Sequence, residues 1–511
     1  MNPQLISRLL LLMVIMTGGA GAQTGTLFTV EQNGTRAQRI NLVFLSEGYT
    51  AADMPNFATH VNTAVNFLFS KEPWQQYRSY CNVYRIEIAS NESGCDNGNS
   101  SGPGGLRDTY FNAGFNSPTV GQLLTLGGTG TSRAYTLLNS LVPEYDQPVV
   151  LVNDTKYGGA GGSVAVASVH SLSSAIVEHE IGHSFALLAD EYDVEYPGYT
   201  PVEKPNNTAQ TTRNLIRWNH WIDASTPVPT PETAEYNNFV GLFEGSMYRT
   251  TGWYRPHNNS LMKNLNRPCG AVNREQFVLN YYSRVSPVDS FSPGSANRNV
   301  TTFENLNFTV TPKVPSSGVT LVTNWNIDNS VQPGATGATF STVSENLGNG
   351  THTVSAIVRD PTAFVRYDPG ALLDDTVTWT LTLSNQLPPN LAAWRATYGS
   401  DTGNPANDGL NNMVKYALGL DPAQRAVLTQ FPTGTLSAGG ASTFMTLTVP
   451  RRNRRTDVDY IAEVSSDLVN WNSGTGHTVT VQDSDSMLIV RDAIPLAGTA
   501  RRFMRLKVRE F

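Results

Sequence analysis

Residues 174–192, SAIVEHEIGHSFALLADEY, constrain this chain more than any other stretch, because they set HExxH on an apolar background of helical period. One helical turn places His179 and His183 on the same face, where two imidazoles can grip one metal ion. Glu180 then lies beside the water such an ion would hold. Ile176, Val177, Ile181, Phe185, Leu187 and Leu188 cover most of that helix. Burying two His and a Glu among them is costly unless a bound partner satisfies them. The layout is that of a zinc hydrolase: one Zn2+ per chain, His179 and His183 as metal ligands, and Glu180 as general base on a zinc-bound water. The alternative, two ordinary helix histidines, leaves those buried groups without partners.

A catalytic zinc takes three protein ligands and leaves a fourth position open. The metzincin pattern would put Gly three residues after the second His and a ligand three further on; here Ala186 and Ala189 stand there, and Asp190, Glu191 and Asp193 follow. A continuous helix carries Asp190 about 10 Å along the axis from His183. Asp190 therefore binds only if the helix ends near Leu188 and the chain turns back. It is favoured over Glu191 because its shorter carboxylate resembles known HExxH...Asp variants, and the alternative role for it is to orient a His ring. Further on, Ser260-Leu261-Met262 resembles the methionine turn that floors a metzincin zinc site, with Met262 as apolar support. Tyr254 is expected to aim its hydroxyl at the substrate oxyanion, with a core tyrosine as the alternative. His257 and Glu244 are held in reserve as ligands.

The rest of the chain bounds the function. With 35 basic against 42 acidic residues and a net charge of -7, there is no basic footprint for nucleic acid or an anionic membrane. Residues 1–22 carry Arg8, an apolar run over 9–16 and Ala20-Gly21-Ala22 ahead of Gln23, the pattern of a secretory signal peptide. No later stretch reaches the ~20 apolar residues of a membrane helix. Among the three cysteines, Cys81 and Cys95 are close enough to close a short loop with Cys269 left free, and other pairings stay open.

Apolar patterning predicts a strand over 40–45, a helix capped by Thr50 and running to Leu68, and a strand over 82–88. It then predicts a helix over 133–141, a buried strand over 148–152 and an edge strand over 163–169, the last lying antiparallel to an extended substrate. This is an α+β domain over residues 23–286. From 287 the texture becomes β: runs at 306–310, 318–325, 352–358 and 376–383 predict an Ig-like β-sandwich over 287–386. A linker with a short helix follows over 387–425, and a last β-rich domain over 426–511. Residues 401–412, which open on Asp401 and close on Asn412, look like acidic segments that sometimes hold calcium, with several acidic positions replaced. Both Ca2+ and a polar capped turn are open there.

LSEGYT (45–50), the 80–94 segment, YGGAGG, HEIGHSFALLADEY, GLFEG and YRP...SLM occur in this order over residues 42–277. Together they closely resemble the immunoglobulin A metallopeptidase family of bacterial zinc peptidases. The resemblance implies a zincin-like catalytic domain that cleaves peptide bonds in a protein or peptide substrate, exported from a bacterial cell. It does not imply immunoglobulin A as that substrate. The expected protein is thus a secreted zinc endopeptidase whose two β-rich accessory domains offer glycan or cell-surface contact. A cell-wall peptide amidase is the alternative, as is an adhesin or glycan-binding surface protein with a degenerate zinc domain; the intact HExxH argues against the latter.

Overall fold

The computed structural model describes residues 24–98, 105–117, 120–497 and 501–511; the signal peptide expected over 1–22 lies outside them. The chain divides into two units. Unit 1 runs to Asp289 and also takes in Pro312–Val322 and Val358–Asp375, while unit 2 holds Ser290–Thr311, Thr323–Ile357 and Thr376–Phe511. The two later segments extend unit 1 beyond residue 286 for a physical reason. Asp360 accepts hydrogen bonds from the Tyr77 and Tyr282 hydroxyls, both at 2.6 Å, and Glu275 Oε1 accepts from the Arg366 and Tyr367 amides at 2.6 and 3.1 Å.

Unit 1 is built on a six-stranded sheet in the order β1-β3-β2-β4-β6-β5. Its strands are β1 (Thr26–Glu31), β2 (Ile40–Glu47), β3 (Cys81–Glu87), β4 (Gln147–Val152), β5 (Gly159–Ala160) and β6 (Ala165–Ser168). The four central strands are parallel and the two outer ones antiparallel. Every residue of β2 is buried, as a strand covered on both faces requires. Alternate residues feed two cores: Leu42, Phe44, Val149 and Leu151 face one, and Val43, Leu45, Val150 and Val152 the other. Onto the first face pack α1 (Met54–Leu68) and α3 (Ser173–Ser184); α2 (Gly127–Leu141) buries Ala134 and Leu138 in the second. The burial of Phe57, Val61, Ala64, Val65 and Leu68 gives α1 its single apolar stripe, and the Thr50 amide donates to Asp53 Oδ2 at 3.1 Å in a reciprocal cap ahead of it.

Three expectations are corrected here. The stretch 163–169 is not an edge: β6 lies between β4 and the two-residue β5. Gly159 of β5 in turn donates to the Gln122 carbonyl and accepts from the Leu124 amide, both at 3.2 Å. Cys81 and Cys95 do not pair, since the sheet separates them into the two opposite cores, and all three cysteines are free and buried. The helix expected from 133 starts at Gly127, because Gly130 packs so closely on the Phe111 carbonyl that no apolar residue could mark the turn; a Cβ there would lie 2.0 Å from that oxygen.

The unit is completed by a hairpin of β7 (Phe243–Ser246) and β8 (Arg249–Arg255) and by α4 (Ala271–Tyr282). Unit 2 is β-rich. A three-stranded sheet, β14 (Thr339–Val343), β11 (Asn305–Pro312) and β9 (Val288–Ser292), accompanies a five-stranded one, β10 (Asn297–Val300), β16 (Asp374–Leu383), β15 (Gly350–Arg359), β12 (Val322–Ile327) and β13 (Ser330–Val331). Trp325 and Trp379 stack at 5.8 Å in the core between their strands. After α5 (Ser344–Leu347), α6 (Leu391–Tyr398) and α7 (Asn412–Leu418) come a four-stranded sheet, β17 (Thr433–Gly439), β18 (Ser442–Pro450), β21 (Met487–Asp492) and β20 (Thr478–Ser484), and the pair β19 (Val458–Ser465) with β22 (Phe503–Glu510).

The segment considered for calcium has its own cation. Lys415, fully buried on α7, sets Nζ 2.7 Å from Asp408 Oδ2 and donates to the carbonyls of Gln424 at 2.7 Å and Pro422 at 3.3 Å. Asp401 is taken by the Arg395 guanidinium at 2.7 and 2.9 Å. Both carboxylates of the segment are thus matched to a cation of the chain itself, ammonium or guanidinium, and a polar turn accounts for them without Ca2+.

Candidate metal centre

Helix α3 ends at Ser184, and Leu187 takes a left-handed φ of +58°, which reverses the chain. The returning backbone is fixed residue by residue. The Leu188 amide donates to the Gly182 carbonyl at 3.0 Å, Asn206 brackets Ala189 with bonds to its amide (2.7 Å) and carbonyl (2.9 Å), and the Glu191 amide donates to the Met262 carbonyl at 2.9 Å. This reversal returns Asp190 to the histidines.

His179 Nε2, His183 Nε2 and Asp190 Oδ1 form a triangle with edges of 3.2, 3.2 and 3.3 Å. A tetrahedral ion with bonds of ~2.0–2.1 Å separates its ligand atoms by roughly 3.3 Å, so these three atoms match one face of such a shell. Asp190 Oδ1 is buried without a hydrogen-bond partner, which leaves it oriented toward the same point. Each imidazole turns its other nitrogen to a backbone carbonyl, His179 Nδ1 to Leu261 at 3.1 Å and His183 Nδ1 to Leu188 at 2.8 Å. That leaves both Nε2 atoms free to ligate. The residues therefore fit a zinc ion.

Charge ties the three groups together. Burial disfavours charged imidazoles, but the nearby Asp190 carboxylate outweighs it and raises His179 and His183, the latter to about 9. Burial likewise opposes the Asp190 carboxylate, and the two imidazoles overcome it and hold the carboxyl low. Glu180 has its carboxylate within 4.8 Å of the ligating nitrogens and is raised by burial.

Glycines admit the rest of the site. A Cβ on Gly159 would stand 2.6 Å from Glu180 Oε1, and one on Gly182 would stand 2.7 Å from Met262 Sδ. The YGGAGG stretch is thus a backbone laid against the metal-facing helix, and Met262, fully buried, floors that helix from below. The cleft above has a volume of about 260 Å3 and is lined by Leu123, Tyr157, Ile176, Tyr192 and Tyr248 around the metal-facing groups.

Other expected residues fall elsewhere. Tyr254 does not line this cleft: its place on β8 turns it into an apolar cluster with Ile216, Trp218, Leu242 and Val272, its hydroxyl 3.5 Å from Glu244 Oε1. The tyrosine that reaches the centre is Tyr248, whose hydroxyl donates to Asp190 Oδ2 at 2.9 Å. Burial and the Asp190 charge push that phenol well up, keeping it protonated. Glu191 is wholly buried and saturated by Asn206 (2.9 Å), Asn273 (3.0 Å) and Ser260 (2.7 Å), so it anchors the loop instead of facing the centre. His257 is buried beside Gly270 and accepts from the Ala271 amide at 3.1 Å.

Residues 28–239 match the family model described as IgA Peptidase M64. No curated protein matches the chain. Among solved structures, chitinase ChiA74 from Bacillus thuringiensis is similar over 54% of this chain and 41% of its own, at 11% identity and a TM-score of 0.12; that likeness is too slight to support any statement about fold or function.

Proposed function

We propose that this chain, whose residues 28–239 match the family model described as IgA Peptidase M64, is a peptidase of that family: a secreted zinc endopeptidase with a zincin-like catalytic domain. The carrying observation is the triangle of His179 Nε2, His183 Nε2 and Asp190 Oδ1, with edges of 3.2–3.3 Å. These three atoms would hold the ion. Bound there, zinc supplies a Lewis acid for the scissile carbonyl and acidifies its water toward neutral pH.

The remaining chemistry belongs to the chain. The Glu180 carboxylate takes the proton of the attacking water and passes it to the nitrogen of the leaving amine. The carbonyls of Leu261 and Leu188 keep both imidazoles in the ligating tautomer. A substrate strand finds no free edge on β6, so the scissile peptide enters across the cleft beside Gly161. Export is supported by the signal-peptide pattern of residues 1–22, and the β-rich remainder, with an Ig-like sandwich at its start, serves contact with substrate or cell surface, glycans included.

The test is metal content together with new amino termini released from a protein mixture, for wild type and Glu180→Ala. The expected result is about one zinc per chain in both proteins and a loss of at least ~10²-fold in rate for the variant. Turnover of cell-wall peptides without protein cleavage would move the assignment to an amidase, and a fully active variant would remove Glu180 as base.

A further inference from the structure

The β7–β8 hairpin turns on two residues that should resist doing so. Ser246 pairs with Arg249 across a two-residue turn, and Met247 and Tyr248 between them have φ of +51° and +63°. Left-handed values at both central positions define the type I′ turn, which favours Asn-Gly and penalises residues with large side chains. Here the conformation is held from outside. The Met247 amide donates to the Asp190 carbonyl at 3.1 Å, the Tyr248 amide to the Tyr192 carbonyl at 3.0 Å, and the Tyr196 amide to the Tyr248 carbonyl at 3.2 Å. An unfavourable turn tied to the segment that bears a metal ligand points to a role for what the turn presents.

What it presents is the Tyr248 phenol. Its ring packs against Tyr192 and Tyr199, with centroids at 5.5 and 4.9 Å, and its hydroxyl reaches Asp190 Oδ2 at 2.9 Å. The two Asp190 oxygens are thereby given different tasks. Oδ2 is engaged by the phenol, while Oδ1, without a hydrogen-bond partner, is left to the two imidazole nitrogens. An untied carboxylate can rotate and offer either oxygen or both; one held through Oδ2 offers Oδ1 alone. We propose that Tyr248 is the positioning residue that fixes Asp190 as a single-oxygen zinc ligand, and that the strained turn is maintained to deliver it. This rests on the zinc reading of the preceding subsection.

The test uses the full chain as wild type, as Tyr248→Phe and as the double variant Met247→Asn with Tyr248→Gly. Zinc affinity is measured by competition with a chromophoric chelator, apoprotein melting by circular dichroism, and ligand geometry by the visible spectrum of the Co2+-substituted protein. Tyr248→Phe should bind zinc ~10–100-fold more weakly, the range for loss of a ligand's supporting partner, with an altered Co2+ spectrum and an apoprotein that melts like wild type. The double variant relaxes the turn but also gives up the packing of both side chains, so it is read on zinc affinity alone, which should fall at least as far. Wild-type affinity and spectrum in Tyr248→Phe overturn the proposal, as does a loss of affinity that only follows a loss of apoprotein stability. Wild type that takes up no zinc sinks the metal reading along with it, whereas zinc-replete wild type with an unaffected Tyr248→Phe sinks this inference alone.

Discussion

Gly161 lies directly against His183: a Cβ on Gly161 would stand 2.5 Å from the His183 Cβ. The backbone ahead of β6 therefore passes a metal-facing helix at a distance that only glycine allows, and side-chain size there couples straight to the position of an imidazole.

Gly161→Ala is expected to lower kcat/KM by ~10-fold or more, since small displacements of reacting groups cost that much, with an unchanged far-ultraviolet spectrum. Gly121→Ala, where a Cβ would meet nothing within 4 Å, serves as control and should stay near wild type. Equal activities for the two variants would show that the close approach has no bearing on the centre.

Asp190 and Glu191 are adjacent and should behave oppositely. Asp190→Ala removes an atom of the triangle, and zinc content after dialysis should fall toward zero in a chain that stays folded. Glu191→Ala leaves the amides of Asn206 and Asn273 and the Ser260 hydroxyl without their acceptor, at a cost on the order of 2–5 kcal/mol of stability. Its folded fraction should still carry zinc. Metal analysis beside urea unfolding separates the two, and a stable, zinc-free Glu191→Ala would reverse the assignment.

His257 makes a pH prediction. Burial, with the nearby Arg274 charge, lowers its pKa to about 4, against about 6.5 in an unfolded chain. Above pH 6.5 the imidazole is neutral in both states and stability is full. As pH falls from 6.5 to 4 the unfolded chain takes the proton and the folded one does not, so up to about 3 kcal/mol is lost. Urea unfolding of wild type and His257→Gln from pH 7.5 to 4 should show that difference narrowing toward low pH. Parallel curves for the two proteins would contradict it.

Lys415 should make unit 2 indifferent to calcium. Its melting should not move with millimolar Ca2+ or with a calcium-selective chelator. Lys415→Met leaves Asp408 buried without its cation and should cost about 3–5 kcal/mol, read as a lowered unfolding midpoint. Calcium-dependent melting of the wild-type chain would mean that the ammonium does not replace the ion.

The parts of the site that were legible in the sequence lie within one regular element. His179, Glu180 and His183 share a helix, so their relation follows from a fixed 3.6-residue period. Asp190 was legible only conditionally, because its position depends on a reversal at Leu187, and leucine gives no signal for a left-handed turn. Tyr248 carries no signal in the sequence, because which tyrosine of the hairpin reaches Asp190 depends on register, and a Met-Tyr pair does not announce a two-residue turn. A two-residue β5 is too short to alternate visibly, which leaves β6 looking like the edge in the sequence. Cys81 and Cys95 are neighbours in sequence, but the sheet face that each occupies is set only by long-range pairing. The β runs of unit 2 were legible because their alternation is plain, as in the buried Leu306, Phe308 and Val310 of β11.

The loop that carries Asp190 is held by residues far downstream, at Tyr248, Ser260, Met262 and Asn273. A fragment that stopped at residue 239, where the family match ends, would contain His179, Glu180, His183 and Asp190, yet none of these supports. A proteolytic nick between 192 and 260 that let the two pieces separate is accordingly expected to disperse the triangle of His179, His183 and Asp190 while sparing all three residues. A nascent chain is likewise expected to leave the Asp190 loop unsupported until Asn273 has left the ribosome.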